Sequence, residues 1–190
     1  MAKIGGSRGS ANGNFPKPDA GQHVAVCAAI YDIGVHYNER FDKSSQRMAI
    51  VWELETQEPD GGPFTLVDVV PVSLFKSSKM REAATALLAR VVDEEEELDT
   101  DDLINKSAML TVALSAKGSP YIDRRDALQD PSRGLSVQNS YGPTDQIHGL
   151  VAWYMRQAEA DTVPAGQGVM DGEPAPRVAA SPVNVDEVPF

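Results

Sequence analysis

The sequence predicts a mainly β protein: a five-stranded β-barrel with a helix between its third and fourth strands and an extra C-terminal helix. Three observations carry this. Three β-type stretches, parted by turn signals, fill residues 23–75. The apolar spacing then switches to helical at Met80, and two more short strands follow beyond residue 107.

Residues 1–20 are rich in Gly, Ser, Asn and Pro, with Lys3, Arg8 and Lys17 as their only cations, and read as a flexible arm. The apolar, partly β-branched run His23–Gly34 is long enough for a curved strand. Val35–Ser45 is polar and reads as a long hairpin loop. Gln46–Gln57 alternates, with Met48, Ile50, Trp52 and Leu54 on one side and Arg47, Ala49, Val51 and Glu53 on the other. That is the pattern of a half-buried strand. The turn at residues 59–63 (PDGGP) leads into a partner strand, Phe64–Phe75, where Pro71 demands a bulge or an edge because it has no N–H to donate.

Met80, Ala83, Ala84, Leu87, Leu88 and Val91 fall on one helical face, with Ser77 or Ser78 available to cap it. An acidic run, Asp93–Asp102, and a short turn near Asp101–Asn105 separate this helix from the strand Ala108–Ser115. The turn at residues 117–120 (KGSP) opens a fifth strand, Tyr121–Leu128. Thr144 can cap a second helix through Ala158, its apolar face being Ile147, Leu150, Val151, Tyr154, Met155 and Ala158. From residue 161 the chain loses periodicity and reads as a disordered acidic tail. The domain reading is an arm at 1–20, one folded domain at 21–160 and a tail at 161–190. Three strands, a helix and two strands make the order of the OB-fold, a five-stranded barrel, an order that other small α+β folds share.

The formal charge is −11, which argues against a nucleic-acid partner until its distribution is seen. Residues 1–142 hold 15 Lys/Arg and 21 Asp/Glu, and eight of those acids lie between Asp93 and Asp102. The rest of that region has 15 basic against 13 acidic residues, so the body has cations to form a positive groove. No run approaches the roughly 18 apolar residues of a membrane helix, and the start lacks the apolar centre of a secretory signal. The single cysteine, Cys27, lies in an apolar run. A cytoplasmic protein with no membrane association is the expectation.

The signals for catalysis are weak. His23, His36 and His148 are scattered, and no paired Cys/His spacing or phosphate-binding glycine loop occurs. Asp93–Asp102 lacks the alternating ligands and central glycine of a calcium loop, so it reads as a solvated connector, with a metal-dependent nuclease as the remote alternative. The expectation is no enzyme, no metal and no cofactor.

Single-strand sites combine rings that stack on bases with Lys/Arg that follow the phosphates. On an OB barrel they cover strands two and three, the first hairpin loop and the loop between strands four and five. Those regions carry Tyr37, Arg40, Phe41, Lys43, Arg47, Trp52, Phe64, Lys76, Lys79, Lys117, Tyr121, Arg124 and Arg125. Core packing competes as an explanation for Trp52, which shares a side with Met48, Ile50 and Leu54. It competes for Phe64 and Phe75 too. Tyr37 and Phe41 sit among polar and basic neighbours, where burial is harder to arrange. Of Arg124 and Arg125, adjacent on a strand, at most one can face a ligand.

Asp186, Glu187, Val188, Pro189 and Phe190 form a compact partner ligand: the ring fills an apolar pocket, the carboxylates meet cations, and Pro189 lowers the ordering cost. This tip resembles that of bacterial single-stranded DNA-binding proteins (SSB), which end in acids, an aliphatic residue, Pro and Phe. The body looks more like a phage-encoded OB-fold group, through Gly21–Ala25, Ile30–Gly34, Val51–Leu54, Ser73-Leu74 and Ser78-Lys79-Met80. The resemblances imply a bacteriophage accessory of DNA replication, recombination or repair. Its domain would coat single-stranded DNA in the host cytoplasm, and its tip would recruit partner enzymes. The second helix either packs on the barrel or joins the subunits of a homo-oligomer. The alternative is an acidic interaction module or DNA mimic that occupies a host nucleic-acid enzyme.

Overall fold

A computed structural model describes residues 16–38, 42–59, 61–141 and 149–162, with side chains to Ala158 in the last stretch. Five antiparallel strands form one sheet: β1 (Gly21–Asn38), β2 (Lys43–Gln57), β3 (Pro63–Pro71), β4 (Ser107–Leu114) and β5 (Pro120–Ala127). Their spatial order is β3-β2-β1-β4-β5. Helix α1 (Lys79–Leu88) joins β3 to β4, and α2 (Gly149–Thr162) follows β5. This is the strand order and helix position of the OB plan. No backbone ladder joins the edge strands β3 and β5 among the described residues, so the sheet is not closed by hydrogen bonds.

The first strand does the bending. Its beginning pairs with β4 and most of its length with β2, and its register with β2 slips between Cys27 and Ala29 and again between Asp32 and Gly34. Each slip is an extra residue that deepens the twist. At the second, Gly34 takes φ +85°, and a Cβ there would stand 3.0 Å from that of Ala158 on α2. Glycine meets both demands.

Most of the predicted loop Val35–Ser45 is ladder instead. The hairpin continues through Tyr37↔Ser44 to Asn38↔Lys43. An arm that projects past the core needs no apolar face, since the ladder satisfies its backbone, and so its polar composition disguised it. Pro71 does stand at the end of an edge strand.

Apolar layers lie on both sides of the sheet. Inward, Ala25, Cys27, Ile50, Trp52, Leu54, Leu66 and Val70 pack with α1 (Met80, Ala83, Ala84, Ala86, Leu87) and with Leu103, Leu110 and Ile122. Helix α1 starts where Ser78 Oγ accepts from Met80 N at 3.2 Å while donating to Ser73 O at 2.6 Å. It stops at Ala89, left-handed at φ 51°. Val91, placed by its spacing on the apolar face, therefore lies beyond the helix and is exposed. On the outer side Ala28, Ala29, Ile33, Ala49, Val51 and Val69 pack under Val151 and Tyr154 of α2. Strand β2 is thus buried on both sides rather than one. The expected cap Thr144, the residue Ile147, the arm at 1–15 and the tail at 163–190 lie outside the described residues.

Candidate nucleic-acid interface

Strands two and three are where the sequence places a single strand, and their outer side is covered by the chain itself. After β5 the chain crosses β4, where Leu135 N donates to Ser107 Oγ at 2.9 Å. It then reaches β2. There the carboxylate of Glu53, buried at 1% exposure, accepts from Gln138 N (2.7 Å), Asn139 N (2.9 Å), Asn139 Nδ2 (2.7 Å) and the Tyr141 hydroxyl (3.0 Å). Burial raises the Tyr141 pKa, Thr65 opposes the shift, and the Glu53 carboxylate adds to it. Beyond this strap, α2 buries Val151 and Tyr154, and burial pushes the tyrosine pKa up to about 12.

Energies decide whether a ligand lifts this cover. Burying each of Val151 and Tyr154 contributes about 1.5–3 kcal/mol, and each hydrogen bond to an ion about 1.5–3 kcal/mol. One stacked base returns about 1–3 kcal/mol. The strap and α2 are part of the fold, and they leave this side of the sheet closed to a ligand.

Of the predicted contacts, two are buried and a third is partly so. Trp52 is 0% exposed, inside the barrel. Phe64 is partly buried against the same inner cluster. Arg125 is buried from β5, its Nε and Nη2 donating to Asp68 Oδ2 at 2.7 and 2.5 Å, while both side chains are 0% exposed. Glu82 of α1 completes the group by accepting from Arg125 N at 2.7 Å. This pair bridges β3 and β5 where the sheet lacks a ladder. The sequence offers Arg125 as a phosphate contact; the structure uses it to close the seam, because Asp68, an acid in an apolar strand opposite Ile50, requires a buried cation.

The remaining cations and rings fall into two groups. On the first hairpin, the β3–α1 loop and the first residue of α1 stand Tyr37, exposed and donating to Asp42 Oδ1 at 2.7 Å, exposed Lys43, half-buried Arg47, exposed Lys76 and half-buried Lys79. Burial lowers the pKa of Arg47 and of Lys79, the latter against the pull of Asp68. The hairpin and this loop adjoin, since Val72 N donates to Gln46 O at 3.0 Å. The β4–β5 hairpin carries the second group: exposed Lys117, half-buried Tyr121, and Arg124 paired with Asp126 at 2.7 Å. Lys17 donates to Gly118 O at 3.0 Å beside it. Arg40, Phe41 and the tip Asp186–Phe190 lie outside the described residues.

Sequence reasoning left Glu53 and Asp68 unassigned, although an acid within an apolar alternation is itself a signal. Among the described residues no set of three or more His, Cys, Asp or Glu side chains is placed to hold a metal ion. Nor is any helix there long and apolar enough to cross a membrane. No family model matches the chain, and no curated protein matches it either.

Proposed function

We propose that this chain binds single-stranded DNA, with little sequence preference and without catalysis, as an accessory of DNA replication, recombination or repair. The observation that supports this best is the OB strand order combined with Tyr37 and the cations Lys43, Arg47, Lys76 and Lys79 between the first hairpin and the start of α1. Salt-sensitive attraction to phosphate and stacking of bases are what such surfaces provide. In this reading the acidic segment Asp186–Phe190 recruits partner enzymes, the setting is cytoplasmic, and a phage origin fits the accessory role. The test is a titration of a fluorescent oligo-dT against a duplex of equal length at two salt concentrations. Tighter, salt-weakened binding of the single strand supports the reading; equal affinity for both contradicts it.

One observation favours the acidic-module alternative. Of the eight acids in Asp93–Asp102, seven are exposed, and two of the eight, Glu94 and Glu96, pair with Arg81 and Arg90. Under that reading the protein ignores oligonucleotides and displaces DNA from a purified nucleic-acid enzyme.

A further inference from the structure

The inward rows of the sheet continue past the end of the enclosed core. On β2 the row Trp52, Ile50, Met48 runs on to Gln46. On β1 the partners of Ile50 and Met48 are Ile30 and Asp32, and beyond the second bulge come Val35 and Tyr37, opposite Gln46 and Ser44. On β3 Val70 faces Met48, and Val72, next but one, bonds to Gln46. Val35 on β1, Gln46 on β2 and Val72 just past the end of β3 therefore lie side by side, continuing the row that holds the core further down. Here that side meets solvent: Val35 is 37% exposed, Tyr37 46% and Val72 45%. Phe75, in the loop beyond Val72, is 71% exposed. Among the described residues these are four of the seven exposed large apolar side chains.

We propose that this mouth of the barrel is the platform on which unpaired bases stack, with Tyr37 and Phe75 as the rings and Lys76 and Lys43 as the flanking phosphate contacts. The inference rests on the single-strand reading and adds Val35, Val72 and Phe75, which that reading did not assign. Chemistry on the surface favours a nucleic-acid strand over a protein. Two rings stand next to cations in the chain or across the ladder, and three acids of the described residues here are engaged: Asp42 by the Tyr37 hydroxyl, Asp32 by Gly34 N and Gln46 Nε2, and Asp68 by Arg125. The Tyr37–Asp42 bond also holds that ring in place, which lowers the ordering cost of stacking on it. The opposite side of the same strands is filled by the strap and α2.

The test uses the full chain and a fluorescent oligo-dT of about 16 nucleotides, the upper end of the length one such domain covers. F75A and V72S are compared with L114S, which changes an exposed apolar residue of β4 outside the mouth. Unchanged melting temperatures establish that the variants fold. The expected result is an affinity loss of about tenfold in F75A, a smaller loss in V72S and none in L114S. K76A should reduce the salt slope by about one. If the parent chain binds and both mouth variants stay within about twofold of it, this platform is wrong while the single-strand reading stands. Should the parent chain bind no single strand at all, that reading falls and takes the platform with it. A sedimentation run covers the remaining occupant: a dimer that F75A splits, with oligonucleotide affinity unchanged, makes the mouth an interface between copies and overturns the proposal.

Discussion

Removing the Arg125 guanidinium should cost far more than removing any surface cation. Asp68 is fully buried, its Oδ2 takes two donors from Arg125, and its Oδ1 has no hydrogen-bond partner. Arg125→Met leaves a buried carboxylate without its counter-charge, which costs about 3–5 kcal/mol. The exposed pairs Arg124–Asp126 and Arg133–Glu55 contribute about 0–1 kcal/mol each by comparison. The double variant D68L/R125M removes both charges and should recover most of the loss. Urea unfolding followed by fluorescence of Trp52, buried in the core, reads the difference. The deficit also has a pH signature. Burial already raises the Asp68 pKa, against the pull of Arg125. Without that cation the folded state holds the proton more tightly still. The penalty is then present above the raised pKa and fades as pH falls through it toward the ordinary value of about 3.9. A loss under about 1 kcal/mol in R125M, or a double variant no better than the single, would refute the seam argument.

Glu53→Ala orphans three N–H donors of Gln138 and Asn139 and should destabilise by about 3 kcal/mol or more; faster hydrogen exchange confined to residues 135–141 is the accompanying sign. Trp52→Phe keeps most of the apolar volume and removes an indole N–H that has no partner, so it should cost about 1–2 kcal/mol and leave oligonucleotide affinity unchanged; a large affinity loss in a folded variant would mean that this ring stacks on bases. Burial raises the Cys27 thiol from 9.0 to about 12. Its stabilising contribution is whole below pH 9 and is lost as pH rises from 9 toward 12. Unfolding titrations at rising pH should fall more steeply for the parent chain than for C27A, and equal slopes would contradict that burial.

The strand order was legible because each element carries its own period. The alternation of Gln46–Gln57 and the helical spacing from Met80 to Leu88 are local properties, and both elements stand where they were expected. What escaped depends on distant partners. Glu53 looked like a solvent-side residue because nothing near it announces the strap at residues 137–141, 85 positions away. Arg125 looked like a phosphate contact because its buried partner, Asp68, is 57 positions distant. The hairpin arm read as a loop because a projecting ladder has no core to face. Burial of Trp52 was readable from its shared side with Met48, Ile50 and Leu54. The exposure of Val35 and Val72 was not, since it depends on where the enclosed part of the barrel stops.

The central claim is that a single strand lies on the exposed mouth and not on the strapped side. Photo-cross-linking of the full chain to an oligonucleotide with halogenated pyrimidines, with the adducts mapped by mass spectrometry, tests it directly. The account predicts adducts at Tyr37 and Phe75, suppressed by added salt and by unlabelled single strand but not by duplex. Adducts gathered on Val137–Tyr141 and Trp153, or equal suppression by duplex, would contradict it.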